Sequence, residues 1–208
     1  MKRNVLFLQL IAVCLIAFQS CYVVYPWFCE EEYIPEICLT RSSVYGDDPS
    51  SSWDDPIIGF QAGIGLPVWS FSDQLSIRSG GLLSFQGGGW TEGNLEGRVN
   101  LWYANIPVEL RYQLPGGFFA QAGLQPGLLL SAKDKYEGIT ENFMDYMNKF
   151  DLSVPVKIGY KFKNNIGVNL RMVPGLTDIT SDKDEKDRNF VVGLGLTYGI
   201  KIKKKQKE

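Results

Sequence analysis

Histidine does not occur among the 208 residues of this chain. Its absence removes the usual acid–base shuttle, the Ser/His/Asp and Cys/His nucleophile arrangements, and His-ligated metal centres. Phosphate and dinucleotide loops are missing as well: "GGLLSFQGGG" has no Lys followed by Ser or Thr, and "GLGLTYG" lacks the fingerprint spacing. Asp182, Asp184, Glu185 and Asp187 gather charge without the spacing of a calcium loop, so they read as a solvated segment. No catalytic residue, cofactor or metal is expected. A net charge of -2, with no basic stripe interleaved with aromatics, gives nucleic acid nothing to bind.

Long apolar runs are scarce too. The one at the start, Val5 to Phe18 behind Lys2 and Arg3, has the layout of a secretory signal peptide over residues 1–20 and is short for a membrane-spanning helix. With that segment set aside, any membrane insertion has to come from strands. Cysteine is sparse, with four in all. Cys29 and Cys38 are close enough in sequence to close a small disulfide in an oxidising compartment. Cys21 stands where an exported lipoprotein carries its lipid; the alternative is cleavage near Gln19 or Ser20 that leaves a free thiol.

The chain is rich in glycine (22 residues) and in aromatics (12 Phe, 10 Tyr, 5 Trp), a β-type composition. From Ile57 onward apolar and polar residues alternate in run after run. Ile58, Phe60, Ala62, Ile64, Leu66 and Val68 share one face, and Trp102, Ala104, Ile106, Val108, Leu110 and Tyr112 another. Further faces are Leu152, Val154, Val156 and Ile158, then Ile166 to Met172, then Phe190 to Ile200. The breaks alternate in length. "SFSD", "LPGG" and "KNN" are short, whereas 87–100, 133–149 and 174–188 are long. Tight turns at one end and long loops at the other are the signature of an outer-membrane barrel. This bookkeeping requires one more strand near 36–45, "EICLTRSSVY", and brings the total to eight. The expected fold is therefore all-β, an eight-stranded antiparallel up-and-down transmembrane β-barrel. A signal peptide spans 1–20, an N-terminal segment holding the first strand 21–56, the barrel 57–202, and a basic tail 203–208.

Charges concentrate in the loops, while the polar faces carry mostly Gly, Gln, Asn, Ser and Thr. That places the apolar faces toward lipid and the polar faces in a narrow lumen that side chains can fill. Arg78, Glu109, Arg111, Asp151, Lys157, Lys161, Asn169 and Arg171 then point inward, and their charges need partners there. Phe85, Trp102, Tyr112, Tyr160, Phe162 and Tyr198 stand at strand ends, where interfacial girdles lie. Val156 faces lipid, so Val156→Arg is expected to be far worse than Lys157→Gln, by roughly 2 to 4 kcal/mol near the midplane. Pro107, Pro126 and Pro155 interrupt runs that would have neighbours on both sides.

"YANIPVELRYQLPGGFFAQAGLQPGLLLSAK", "FDLSVPVKIGYKF", "IGVNLRMVPGLTDI" and "NFVVGLGLTYGIKI", in that order, resemble the PorT-like outer-membrane β-barrel family of Gram-negative bacteria. The resemblance covers about Gly59 to Ile202 and implies an integral barrel of the cell outer membrane, with one branch of the family linked to protein secretion. Outer-membrane enzymes of the lipase, acyltransferase and protease kinds generally rely on histidine, which this chain lacks. The expectation is a non-enzymatic monomer with a structural, adhesive or secretion-associated role exerted through its external loops. Expected partners are outer-membrane lipid, lipopolysaccharide, and secretion or assembly proteins. The alternatives are a narrow channel or small-ligand-binding barrel, and a secreted soluble barrel of lipocalin type.

Overall fold

A computed structural model describes residues 31–46, 53, 55–93, 95–181 and 186–202. β1 is Glu31–Gly46, β2 Asp55–Ser70, β3 Leu75–Glu92, β4 Leu95–Asn105 and β5 Val108–Gln113. β6 is Phe118–Tyr136, β7 Ile139–Asn142, β8 Phe150–Ser153 and β9 Val156–Lys161. β10 is Ile166–Pro174, β11 Asp187–Tyr198 and β12 Ile200–Ile202. β4 with β5, β8 with β9, and β11 with β12 are halves of interrupted staves, and the pairing is antiparallel throughout. The described strands make eight staves. β1 pairs along β11 from Glu36↔Thr197 to Gly46↔Asp187, which closes the ring and leaves no open edge in the wall.

Alternation in the sequence becomes alternation in exposure. Ile37, Leu39, Ile58, Leu110, Ile158, Leu170, Leu194 and Leu196 are exposed on the outside, while Gln61, Ser84, Asn105, Lys157, Asn169 and Arg171 are buried inside. An apolar outside around a polar inside is the membrane-barrel arrangement, the reverse of a lipocalin. The face assigned to β2 needs one change. A bulge between Pro67 and Trp69 inserts an extra residue at Val68, so beyond it Trp69, not Val68, takes the outward position, at 40% exposure.

The first strand starts earlier than expected, at Glu31 instead of near 36. The break at 87–100 is largely a ladder. β3 continues to Glu92, and β4 returns with Gly87↔Asn100 through Glu92↔Leu95 in register. β6 likewise runs on to Tyr136 and turns back through β7. Outside the apolar band neither face touches lipid, so strands persist there without hydrophobic alternation to reveal them. The β6–β7 turn places Glu137 at φ 45° and Gly138 at φ 82°, the doubly left-handed geometry of a two-residue hairpin.

The prolines have a simple resolution. Pro107 and Pro155 fall in the gaps between β4 and β5 and between β8 and β9, and the carbonyl of Pro155 still accepts the Gly123 N–H at 3.2 Å. Pro126 lies within β6 opposite Leu152, and its carbonyl accepts the Ile106 N–H at 2.9 Å. The register is the same before and after each gap, so the prolines forgo ladder bonds without shifting a strand.

Candidate functional site: the lumen and its outer cap

At the tight-turn end Glu32 accepts from Lys161 and, at 3.5 Å, from Arg78. Midway along, Lys157 bridges Glu36 at 3.1 Å and Glu109 at 3.2 Å. Glu36 also receives the Asn169 side-chain amide at 3.3 Å, with an Arg171 guanidinium nitrogen 3.8 Å away. Gln121 donates to Glu109 at 3.3 Å and accepts from Arg111 at 3.0 Å. Arg111 also bonds Gln113 and lies over the Phe119 ring, 3.8 Å from its centroid. Higher up, Asp151 accepts from Asn189 at 3.1 Å and from Thr177 at 2.8 Å, with no cation in salt-bridge range among the described residues.

The eight residues expected in the lumen therefore all face it, but not as one set of mutual pairs. Glu109 and Lys157 meet directly. Arg78, Lys161, Asn169 and Arg171 instead converge on Glu32 and Glu36, two β1 carboxylates that sequence reasoning missed. The readable signal was the period-2 run Glu32, Ile34, Glu36, Cys38, Thr40, Ser42 in "EEYIPEICLTRSS". Arg111 leans on amides and an aromatic ring, and Asp151 on neutral donors. The residual cavity between Glu36, Arg78, Glu109, Arg111 and Lys157 is about 40 Å³, room for about three water molecules.

Above this polar section the lumen turns apolar. Val44, Val99, Leu101, Tyr103, Leu129 and Ala132 line it, and two loop residues fill it: Met147 at 4% exposure and Ile179 at 0%. Trp53, Trp90, Phe143 and Met144 pack around them. The loops carrying Met147 and Ile179 are tied together across the mouth. Asn148 N–H donates to the Ile179 carbonyl at 2.8 Å, and the Asn148 side chain donates to the carbonyls of Asp178 and Thr180. Ser181 N–H reaches the Tyr146 carbonyl at 2.8 Å. Asp178 in turn accepts from the N–H groups of Thr180 and Asp187, both at 3.1 Å. No feature of the sequence marked this cap, because each loop contributes a single deeply buried apolar side chain.

Outside, two clusters of aromatics stand near the two ends of the apolar band. Phe60, Phe85 and Trp102 cluster with centroids 5.4 to 6.1 Å apart. At the tight-turn end Tyr160 packs against Phe118 at 4.8 Å and Phe162 at 4.9 Å, with Tyr112 and Tyr198 exposed nearby. Trp102 and Tyr112 stand on one stave about 33 Å apart along the strand. That is about 25 Å along the axis at a tilt near 40°, the height of an outer-membrane apolar band.

Cys38 is a buried free thiol inside the wall, 1% exposed. Cys29 and Cys21 lie outside the described residues, as do residues 1–20 and 203–208.

None of the curated proteins matches this chain. Neisserial surface protein A has a solved structure that is similar, with a TM-score of 0.50 at 10% identity over 80% of this chain and 96% of that one. Ail, the attachment invasion locus protein of Yersinia pestis, gives 0.46 at 16% identity over 82% of this chain and all of that one. The outer membrane protease OmpT of Escherichia coli gives 0.41 at 11% identity, covering 82% and 97%. Such identities speak to fold alone. Residues 55–181, more than half the chain, match the family described as outer membrane protein beta-barrel domain. With its apolar exterior, closed ring and girdle spacing, the chain belongs to that family and is a Gram-negative outer-membrane β-barrel protein.

Proposed function

We propose that this barrel is a closed, non-enzymatic outer-membrane protein that acts through its external loops instead of through its lumen. The observation that carries this reading is the double obstruction: an ion-paired polar section with about 40 Å³ to spare, under an apolar cap sealed by Met147 and Ile179. A path for ions would have to break Lys157 away from two carboxylates and also open the cap. The lack of histidine supports a non-enzymatic role. The PorT-like resemblance over 59–202, with one branch of that family linked to protein secretion, supports a secretion-associated task. For such a task the β3–β4 and β6–β7 hairpins, which continue past the outer girdle, supply the presenting surface. Reconstitution in planar bilayers is the test. The expected record is a flat baseline, and discrete single-channel steps would end the closed-lumen reading. Crosslinking from cysteines placed at the hairpin tips in intact cells identifies what the loops touch.

A further inference from the structure

On the outside of the wall, just beyond the outer aromatic cluster, Arg98, Lys133 and Lys135 rise from β4 and β6 in adjacent rows: Trp102↔Ser131, Asn100↔Lys133, Arg98↔Lys135. They border a cleft of about 380 Å³ floored by Phe85 and Trp102. Asn100 also lines it and is only 7% exposed, a polar side chain sunk into the outer face of the wall. No carboxylate lines this cleft, and among the described residues none of the three cations makes an ion pair. Glu96 and Glu137 border a neighbouring depression farther from the membrane, which Arg98 and Lys135 share.

We propose that this cleft binds the phosphate groups of the anionic glycolipid in the outer leaflet. Successive outward residues on a strand are about 7 Å apart. The cations therefore sit about one and two such steps past Trp102, at the height where headgroups follow an aromatic girdle. Three basic side chains with no carboxylate beside them suit a phosphomonoester, and the Asn100 amide N–H groups and the Ser131 hydroxyl can donate to it as well. Below the cleft the surface continues into Leu83 and Leu130, both 50% exposed, so a ligand with acyl chains fits where a free anion would cover only the top. Arg41, exposed on β1 opposite Ile58, puts a further cation just past the same aromatic cluster.

The test uses the full chain folded in detergent, with bound lipid counted by native mass spectrometry. The probes are bisphosphorylated lipid A, the same lipid without its phosphates, and inorganic phosphate. Wild type should retain the bisphosphorylated lipid and not the dephosphorylated one. At about fivefold per cation, Lys133→Gln should weaken retention about fivefold, and Arg98→Gln, Lys133→Gln and Lys135→Gln together about a hundredfold. Lys163→Gln, in a tight turn at the opposite end, should change nothing. Unboiled gel mobility checks that each variant is folded, and the single Lys133→Gln carries the test should the triple variant misfold. Unchanged retention in the variants, equal retention of dephosphorylated lipid, an equal loss in Lys163→Gln, or full displacement by millimolar inorganic phosphate would each overturn the proposal. Channel activity has no bearing on this outcome, so the lipid site and the closed lumen can fail separately.

Discussion

Exchanging Lys157 for Met would leave the carboxylates of Glu36 and Glu109 buried without the ammonium that bridges them. A loss of about 3 to 5 kcal/mol is expected, because an orphaned buried charge costs more than the pair contributes. Restoring neutrality with Glu36→Gln and Glu109→Gln in the same chain should recover most of it, as read by urea unfolding in lipid vesicles followed by unboiled gel mobility. This geometry revises the ranking drawn from sequence, where Lys157→Gln was expected to be far milder than Val156→Arg. The inward direction of Lys157 followed from alternation alone, but its two partners lie 48 and 121 residues away, and no local pattern discloses them. Gln61 is the opposite case. It is 1% exposed, and neither amide atom has a hydrogen-bond partner among the described residues. Gln61→Leu should therefore be neutral or stabilising by up to about 2 kcal/mol in the same assay, and a marked loss would show that the amide is engaged after all.

Most strands that touch lipid announced themselves by their period of 2, whereas β1 and the pairing order followed from break lengths. β7 and the outer ends of β3, β4 and β6 did not, since water bathes them and any polar residue serves there. The cap escaped for a related reason: around Met147 and Ile179 apolar and polar residues mix without a period, and the burial of those two depends on where the loops are carried. Removing one tie should expose the dependence. Asn148→Ala deletes the side-chain bonds to the carbonyls of Asp178 and Thr180. About 1 to 3 kcal/mol of cap stability should go with them, measured as faster hydrogen exchange at Asn148 and Ser181 with the barrel wall unaffected. In the β6–β7 hairpin, Gly138→Val forces a β-branched residue to φ 82°. The β6–β7 pairing should loosen by about 1 to 3 kcal/mol, visible as faster exchange in residues 139–142 and no change in unboiled mobility.

As a whole the molecule is a ring whose first and last staves meet, and three of the five ion pairs described above, those of Glu32 with Lys161 and of Glu36 with Lys157 and Arg171, reach across that join. Glu32 and Glu36 belong to the first stave, while their partners Lys157, Lys161, Asn169 and Arg171 come 121 to 133 residues later where hydrogen bonds tie them. Glu32 has Arg78 on β3 as an additional partner, but Glu36 meets its cations only once β9 and β10 are in place. Assembly should show this as an all-or-none step, with truncations that remove β10 to β12 leaving the remainder unable to resist protease instead of partly protected. Closure of the wall and neutralisation of its interior are in this sense a single event, and a half-built barrel is selected against by its own unanswered charge.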